Sequence, residues 1–382
     1  MNHFACRLLA ATALIAPAGG AMATTVTGWN LENVVVEAGP LTDGVTYSSP
    51  VYDRDVTGGT TGAATNGAVT YSPPEAGGPG IKIVTNGPDL KPSIDIPNCI
   101  MASSSSSCEG DFQSGKRFKL RMDAAAPIDL VFDTGAGSAL DGTVTEQPYQ
   151  IFAKLKNNTG SSLSGFTAEL GFGVGADFIA ATLLDQITLA PLVGGDPATQ
   201  FPFGLFGDAS TSSNHDLDGF FAPATAGFNA DFAGTTIAST AMYGPYEALF
   251  GDWMTLADAP EGYFWDNDGD AETDAILMAW LRPDGEWEQR RAEDLGEATP
   301  TTPFTVAEAD LVSAGYLAGP IEDVVNLNLN AYVAFGASYD DGRAFTIRVT
   351  GIAADVPLPG GIALMAGALG LLGGLARRRR KG

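Results

Sequence analysis

Between residues 325 and 335 nearly every second side chain is apolar. Val325, Leu327, Leu329, Ala331, Val333 and Phe335 alternate with Asn326, Asn328, Asn330 and Tyr332. A strand turns successive side chains to opposite faces, whereas a helix would scatter these six around its circumference. The same period returns at 118–122, where Phe118, Leu120 and Met122 alternate with Lys119 and Arg121, and at 149–156, where Ile151, Ala153 and Leu155 alternate with Phe152, Lys154 and Lys156. Further β-rich runs at 33–37, 45–53, 68–72, 80–85, 128–132, 166–174 and 345–349 are divided by Gly, Pro, Asn and Asp turns. Helix signals are few. Thr305 with Glu308 has the capping-box spacing ahead of 306–314, Gly315 supplies a stop, and 321–325 reads as a short turn. The pattern predicts a mainly β chain: a β-sandwich-like ectodomain over 24–355, with a few short helices and no charged or Pro-rich linker to divide it.

Composition supports a packed core, since 45% of residues are hydrophobic. It also excludes one class of partner. With 45 acidic residues against 20 basic ones the net charge is −25, and binding to nucleic acid needs a basic surface that releases counterions.

The two ends read as address labels. Arg7, the apolar run 8–16 and the small-x-small site Ala21-Met22-Ala23 form a signal peptide over residues 1–23, for the Sec translocon. Cys6 would leave with it. At the other end Val356-Pro357-Leu358-Pro359 precedes seventeen uncharged residues, 360–376, and then the basic run Arg377, Arg378, Arg379, Arg380 and Lys381. Seventeen helical residues reach ~25 Å, the short limit for a transmembrane helix. The basic end would stay cytoplasmic. A permanent single-pass anchor is the simple alternative to processing.

This tail, residues 356–382, resembles the VPLPA-CTERM variant of the PEP-CTERM sorting signals of Gram-negative bacteria, with Gly360 where the family usually has Ala. The resemblance implies recognition and cutting by an exosortase-type membrane transpeptidase. It implies a membrane-anchored precursor exported across the cytoplasmic membrane, then a place in the cell envelope or outside the cell. The ectodomain is similar to the choice-of-anchor F type of exported protein. The similarity lies in Val51-Tyr52-Asp53-Arg54-Asp55, in Ala68-Val69-Thr70-Tyr71-Ser72-Pro73-Pro74, and in the stretch Glu261-Gly262-Tyr263-Phe264-Trp265-Asp266-Asn267-Asp268-Gly269-Asp270. That family implies surface display and no catalysis.

Candidate chemistry is sparse. Cys99 and Cys108 are an even pair with neither C-x-x-C spacing nor a nearby His, which predicts a structural disulfide. Asp266, Asp268 and Asp270 around Gly269 offer oxygens to a hard cation such as Ca²⁺. An EF-hand would need Gly at 271 and Glu at 277, where Ala271 and Leu277 stand, so a solvated Asx-turn loop is the competing reading. The loop enters a hairpin turning at Pro283-Asp284-Gly285. Asp133-Thr134-Gly135 resembles an aspartic-protease turn, but that chemistry needs two such carboxylates, so a turn ending a strand is predicted. His215 lies in a polar loop, and no G-x-S-x-G accompanies it. The basic run 116–121 could grip an extracellular polysaccharide or pair with acids on neighbouring strands. A non-enzymatic surface protein is expected, with a calcium-stabilised carbohydrate-binding or adhesive module as the alternative and a secreted hydrolase behind it.

Overall fold

The computed structural model describes residues 24–72, 79–85, 98–102, 108, 117–136, 148–191, 226–243, 253–265, 276–282, 284–289, 304–321 and 325–354. Their strands form three sheets. The first runs β1 (Thr24–Trp29), β7 (Ile128–Ala136), β20 (Phe345–Ala353), β9 (Leu163–Phe172), β13 (Thr236–Tyr243), β12 (Ala226–Phe232), with β10 (Ile179–Ala180) added to β9. The second runs β11 (Ile187–Ala190), β19 (Asn326–Phe335), β8 (Tyr149–Asn157), β6 (Phe118–Met122), β3 (Thr65–Tyr71), β2 (Tyr47–Tyr52). Here β5 (Asn98–Met101) joins β8, and β4 (Lys82–Val84) joins β5. The third is β17 (Phe304–Val306), β16 (Trp287–Gln289), β15 (Ile276–Leu281), β14 (Glu261–Trp265), β18 (Leu317–Pro320), and beside it lies the helix α1 (Glu308–Ser313).

Alternation does the packing. Val26, Leu130, Phe132, Leu170 and Ile347 of the first sheet share one core with Leu120, Ile151, Leu155, Leu329 and Val333 of the second. At each burial of this kind the apolar surface lost to water contributes about 1.5–3 kcal/mol. Phe345 stacks on Phe132 (ring centroids 5.3 Å apart) and meets Phe335 edge-on at 5.4 Å, which ties the two sheets together. At one corner β1 bridges them, because Val26 N donates to Tyr149 Oη at 3.0 Å. Trp253 is fully buried against Phe166, and its Nε1 donates to Val325 O. The third sheet has its own cluster of Tyr263, Met278, Trp287, Leu311 and Tyr316.

The structure corrects the expected sandwich carrying a transmembrane helix. The fold is mainly β, but its second sheet is mixed: β5 and β6 both run parallel to β8, end to end along the same edge. Among the described residues no helix is long and apolar enough to cross a membrane. The expected span 360–376 lies outside them, and the expected membrane-anchored, exported precursor has no support among the described residues. Local expectations shift too. At 33–37 only a bridge between Val34 and Val51 forms. β7 continues through Asp133-Thr134-Gly135 because β1 pairs with those residues, so no turn ends there. Thr305 pairs in β17 instead of capping, and α1 starts after Ala307 with no side-chain cap. The 276–289 hairpin is present as β15 and β16.

Candidate functional site

Asp129 on β7 and Arg348 on β20 stand directly opposite one another. Their neighbours Ile128, Leu130, Ile347 and Val349 enter the core, so both charged groups belong to the outer face of the first sheet. They are nevertheless covered. The chain leaving β9 folds back over them, fastened by Thr346 Oγ1 donating to Gly173 O at 2.7 Å. Arg348 Nε donates to Asp129 Oδ1 at 2.7 Å, and its Nη2 donates to Asp129 Oδ2 and Gly175 O at 2.8 Å each. Gly175 N donates to the same Oδ2 at 2.7 Å. Beneath the guanidinium lies the Phe178 ring, 3.7 Å away at its centroid. The side chains are 3% exposed for Asp129 and 16% for Arg348, so this is a buried, bidentate, charge-assisted pair.

Gly175 is required where it stands. Its φ is +56°, and the backbone oxygen of Asp53 fills the space a Cβ would need. That close approach brings the 51–53 segment of the second sheet alongside the ion pair. Between them opens a recess of about 210 Å³, lined by Tyr52, Asp53, Asn66, Asp129, Gly175 and Arg348 among others. Asp53 Oδ1 accepts from Ala64 N at 3.0 Å and from Arg54 Nε at 3.2 Å. The Ala64 backbone bond first, then Arg54, holds its carboxyl below the usual carboxylate range. Asn66 Nδ2 donates to Pro127 O at 2.9 Å, which fixes the amide.

These bonds limit the chemistry. Both oxygens of Asp129 are engaged, and Asp53 stays ionised at neutral pH. An ionised Asp53 is not the proton donor that a glycosidase needs at its leaving group. The recess instead presents fixed acceptors and donors, the equipment of a binding site.

Of the sequence-derived sites, Cys99 and Cys108 are bridged, with Cα atoms 5.9 Å apart, and pack with Val84, Met101 and Phe152. On the basic strand β6, Arg121 Nε and Nη2 donate to the two oxygens of Asp123 at 2.9 Å. Asp133 Oδ1 accepts from Asn30 Nδ2 at 2.9 Å, a bond between strand neighbours. Asp266, Asp268, Asp270, His215, the sorting motif 356–359 and the basic end 377–381 lie outside the described residues. Among the described residues no three His, Cys, Asp or Glu side chains gather as a metal site would require. Asp129 and Arg348 are each the lone charge in an apolar run, 128–132 and 345–349, which was the available signal. The chain matches no protein-family model, no curated protein and no solved structure, so the two family resemblances rest on their quoted residues alone.

Proposed function

We propose that the chain is a non-catalytic recognition module of the adhesive type, and that its recess seats an uncharged, polyhydroxylated ligand such as one sugar unit. The observation that carries this reading is the locked Asp129–Arg348–Gly175 constellation beside Asp53 and Asn66. Planar carboxylate, guanidinium and amide groups held in place lose little freedom when hydroxyls bond to them. Tyr52 adds an aromatic wall. Asp129 is paired with Arg348 and Asp53 with Arg54, so the charges about the recess balance, which favours neutral ligands over charged ones.

The test is a panel of immobilised neutral mono- and oligosaccharides probed with the full chain and with Asp53→Asn, which keeps the side-chain shape. Losing a hydrogen bond to a charged group costs about 1.5–3 kcal/mol, so binding to the retained sugar should fall roughly ten- to a hundredfold. Binding to none of the sugars, or equal binding by Asp53→Asn, overturns the reading.

A further inference from the structure

Between β9 and β11 the chain leaves three aliphatic side chains in water within six residues. Ile179 is 69% exposed, Leu183 65% and Leu184 89%. The segment that carries them is fixed at both ends. At its start β10 pairs with Phe172 and Gly171 of β9, and the N–H of buried Ala181 donates to Leu170 O at 2.8 Å. At its end Gly336 N donates to Gln186 O at 2.8 Å, and buried Ile187 pairs with Phe335.

The turn between these anchors is tightly fastened. Thr182 N and Oγ1 both donate to Asp185 Oδ2 at 2.9 Å, which closes the 3-10 turn Leu183–Asp185. Arg343 Nη1 donates to Asp185 Oδ1 at 3.1 Å, and its guanidinium carbon lies 3.2 Å from the centroid of the Phe172 ring. Gln186 then takes φ +59°, left-handed backbone that a residue other than glycine adopts at a cost. The Leu183 side chain rests beside Gly234, where a Cβ would come within 2.9 Å of it. Single exposed leucines are ordinary on a protein surface. Two adjacent ones on a fastened turn, with Ile179 close by in sequence, mark an interaction site.

We propose that Leu183 and Leu184 form a ready-made anchor for a cationic amphipathic segment of another protein, one that sets lysines or arginines beside its apolar side chains. The turn is already ordered, so little freedom is lost when the leucines are covered. The charges nearby select the partner. Arg343 is matched by Asp185. Asp177, two residues before Ile179, and Asp340, three before Arg343, are exposed and make no ion pair among the described residues. Asp341 has a neutral donor, the Thr24 hydroxyl, at 2.6 Å. These unmatched acids complement a cationic partner. A second copy of the chain would bring the same acids to the same leucines, and the net charge of −25 on each copy adds to the repulsion. None of these residues lines the recess, so the anchor does not depend on the sugar reading.

The experiment titrates the full chain into a fluorescent synthetic peptide of leucine and lysine, patterned as an amphipathic helix. Two parallel peptides replace its lysines by glutamate or its leucines by glutamine. The expected result is binding to the leucine–lysine peptide, partly weakened by added salt, and roughly tenfold or more weaker binding to each of the others. The double variant Leu183→Gln, Leu184→Gln should lose roughly tenfold or more. If that pair fails to fold, Leu184→Gln alone, at the most exposed position, should lose about threefold or more. Asp177→Asn with Asp340→Asn should weaken binding and shrink its salt dependence. Asp53→Asn should bind the peptide as wild type does, which separates this test from that of the recess. No binding, equal binding of the leucine-free peptide, or undiminished binding by the leucine variants overturns the proposal. Sedimentation showing that the chain self-associates through the same leucines would also overturn it, in favour of a second copy.

Discussion

Replacing Arg348 by methionine would leave the Asp129 carboxylate buried without its guanidinium. Breaking a buried pair from one side costs about 3–5 kcal/mol, mostly the penalty of the stranded charge. We expect Arg348→Met to lower unfolding free energy by roughly 3 kcal/mol in a denaturant titration. The double variant Asp129→Leu, Arg348→Met should recover much of that loss, because no charge is then left behind. Strictly additive losses would show that the two residues act independently. Each partner was visible in the sequence as a single charge inside an apolar run, at 128–132 and 345–349. Their opposition was not visible, since 219 residues separate them and alternation says nothing about which strands become neighbours.

At the level of elements, the strands themselves were legible. The run 118–122 became β6 without change, and the 149–156 run became β8 with one residue added. Direction was not legible. A strand carries the same period-two pattern whether its neighbour runs parallel or antiparallel, and β5 and β6 lie parallel to β8 only because connections elsewhere allow it. Hence the alternation of β6 was readable, while the parallel register that sets Lys119 beside Lys154 and Arg121 beside Lys156 was not. The recess escaped the sequence for a related reason: Tyr52, Asp53 and Asn66 reach Asp129 through a chain reversal at Gly175. The disulfide holds β5 to the start of the segment that leads on to β6. Opening it with Cys99→Ser and Cys108→Ser releases a ten-residue loop, and the chain-entropy model gives about 2.5–3 kcal/mol for that closure. A fall in stability near that size is expected. An unchanged melting temperature would mean that β5 is held by β4 and β8 alone.

Over the whole molecule, charge sets the pH profile. Backbone and side-chain bonds lower the carboxyls of Asp43, Asp53, Asp55 and Asp185. Their stabilising effect is present above the ordinary carboxylate range near pH ~4 and is lost as pH falls through the lowered values. Burial raises the hydroxyls of Tyr149, Tyr332 and Tyr339, so native protein holds those protons more tightly and stability falls as pH rises beyond about 10. Between these limits acidification relieves the self-repulsion of a net −25 chain. Melting temperature should therefore peak on the acid side of neutrality, and the tyrosinate absorbance of these three residues should appear only together with unfolding at the alkaline end. A melting temperature that is flat from pH 4 to 11 would contradict both halves. The arrangement of β1 and β20 on the two sides of β7 carries one more consequence, a mechanical one. Both strands run antiparallel to β7, with Thr24 opposite Ala136 and Val349 opposite Ile128. A tension applied at the outer ends of β1 and β20 therefore pulls along the strand axis in opposite directions. Sheet hydrogen bonds lie across that axis, so the ladder is loaded in shear, all rungs at once, instead of opening like a zipper one rung at a time.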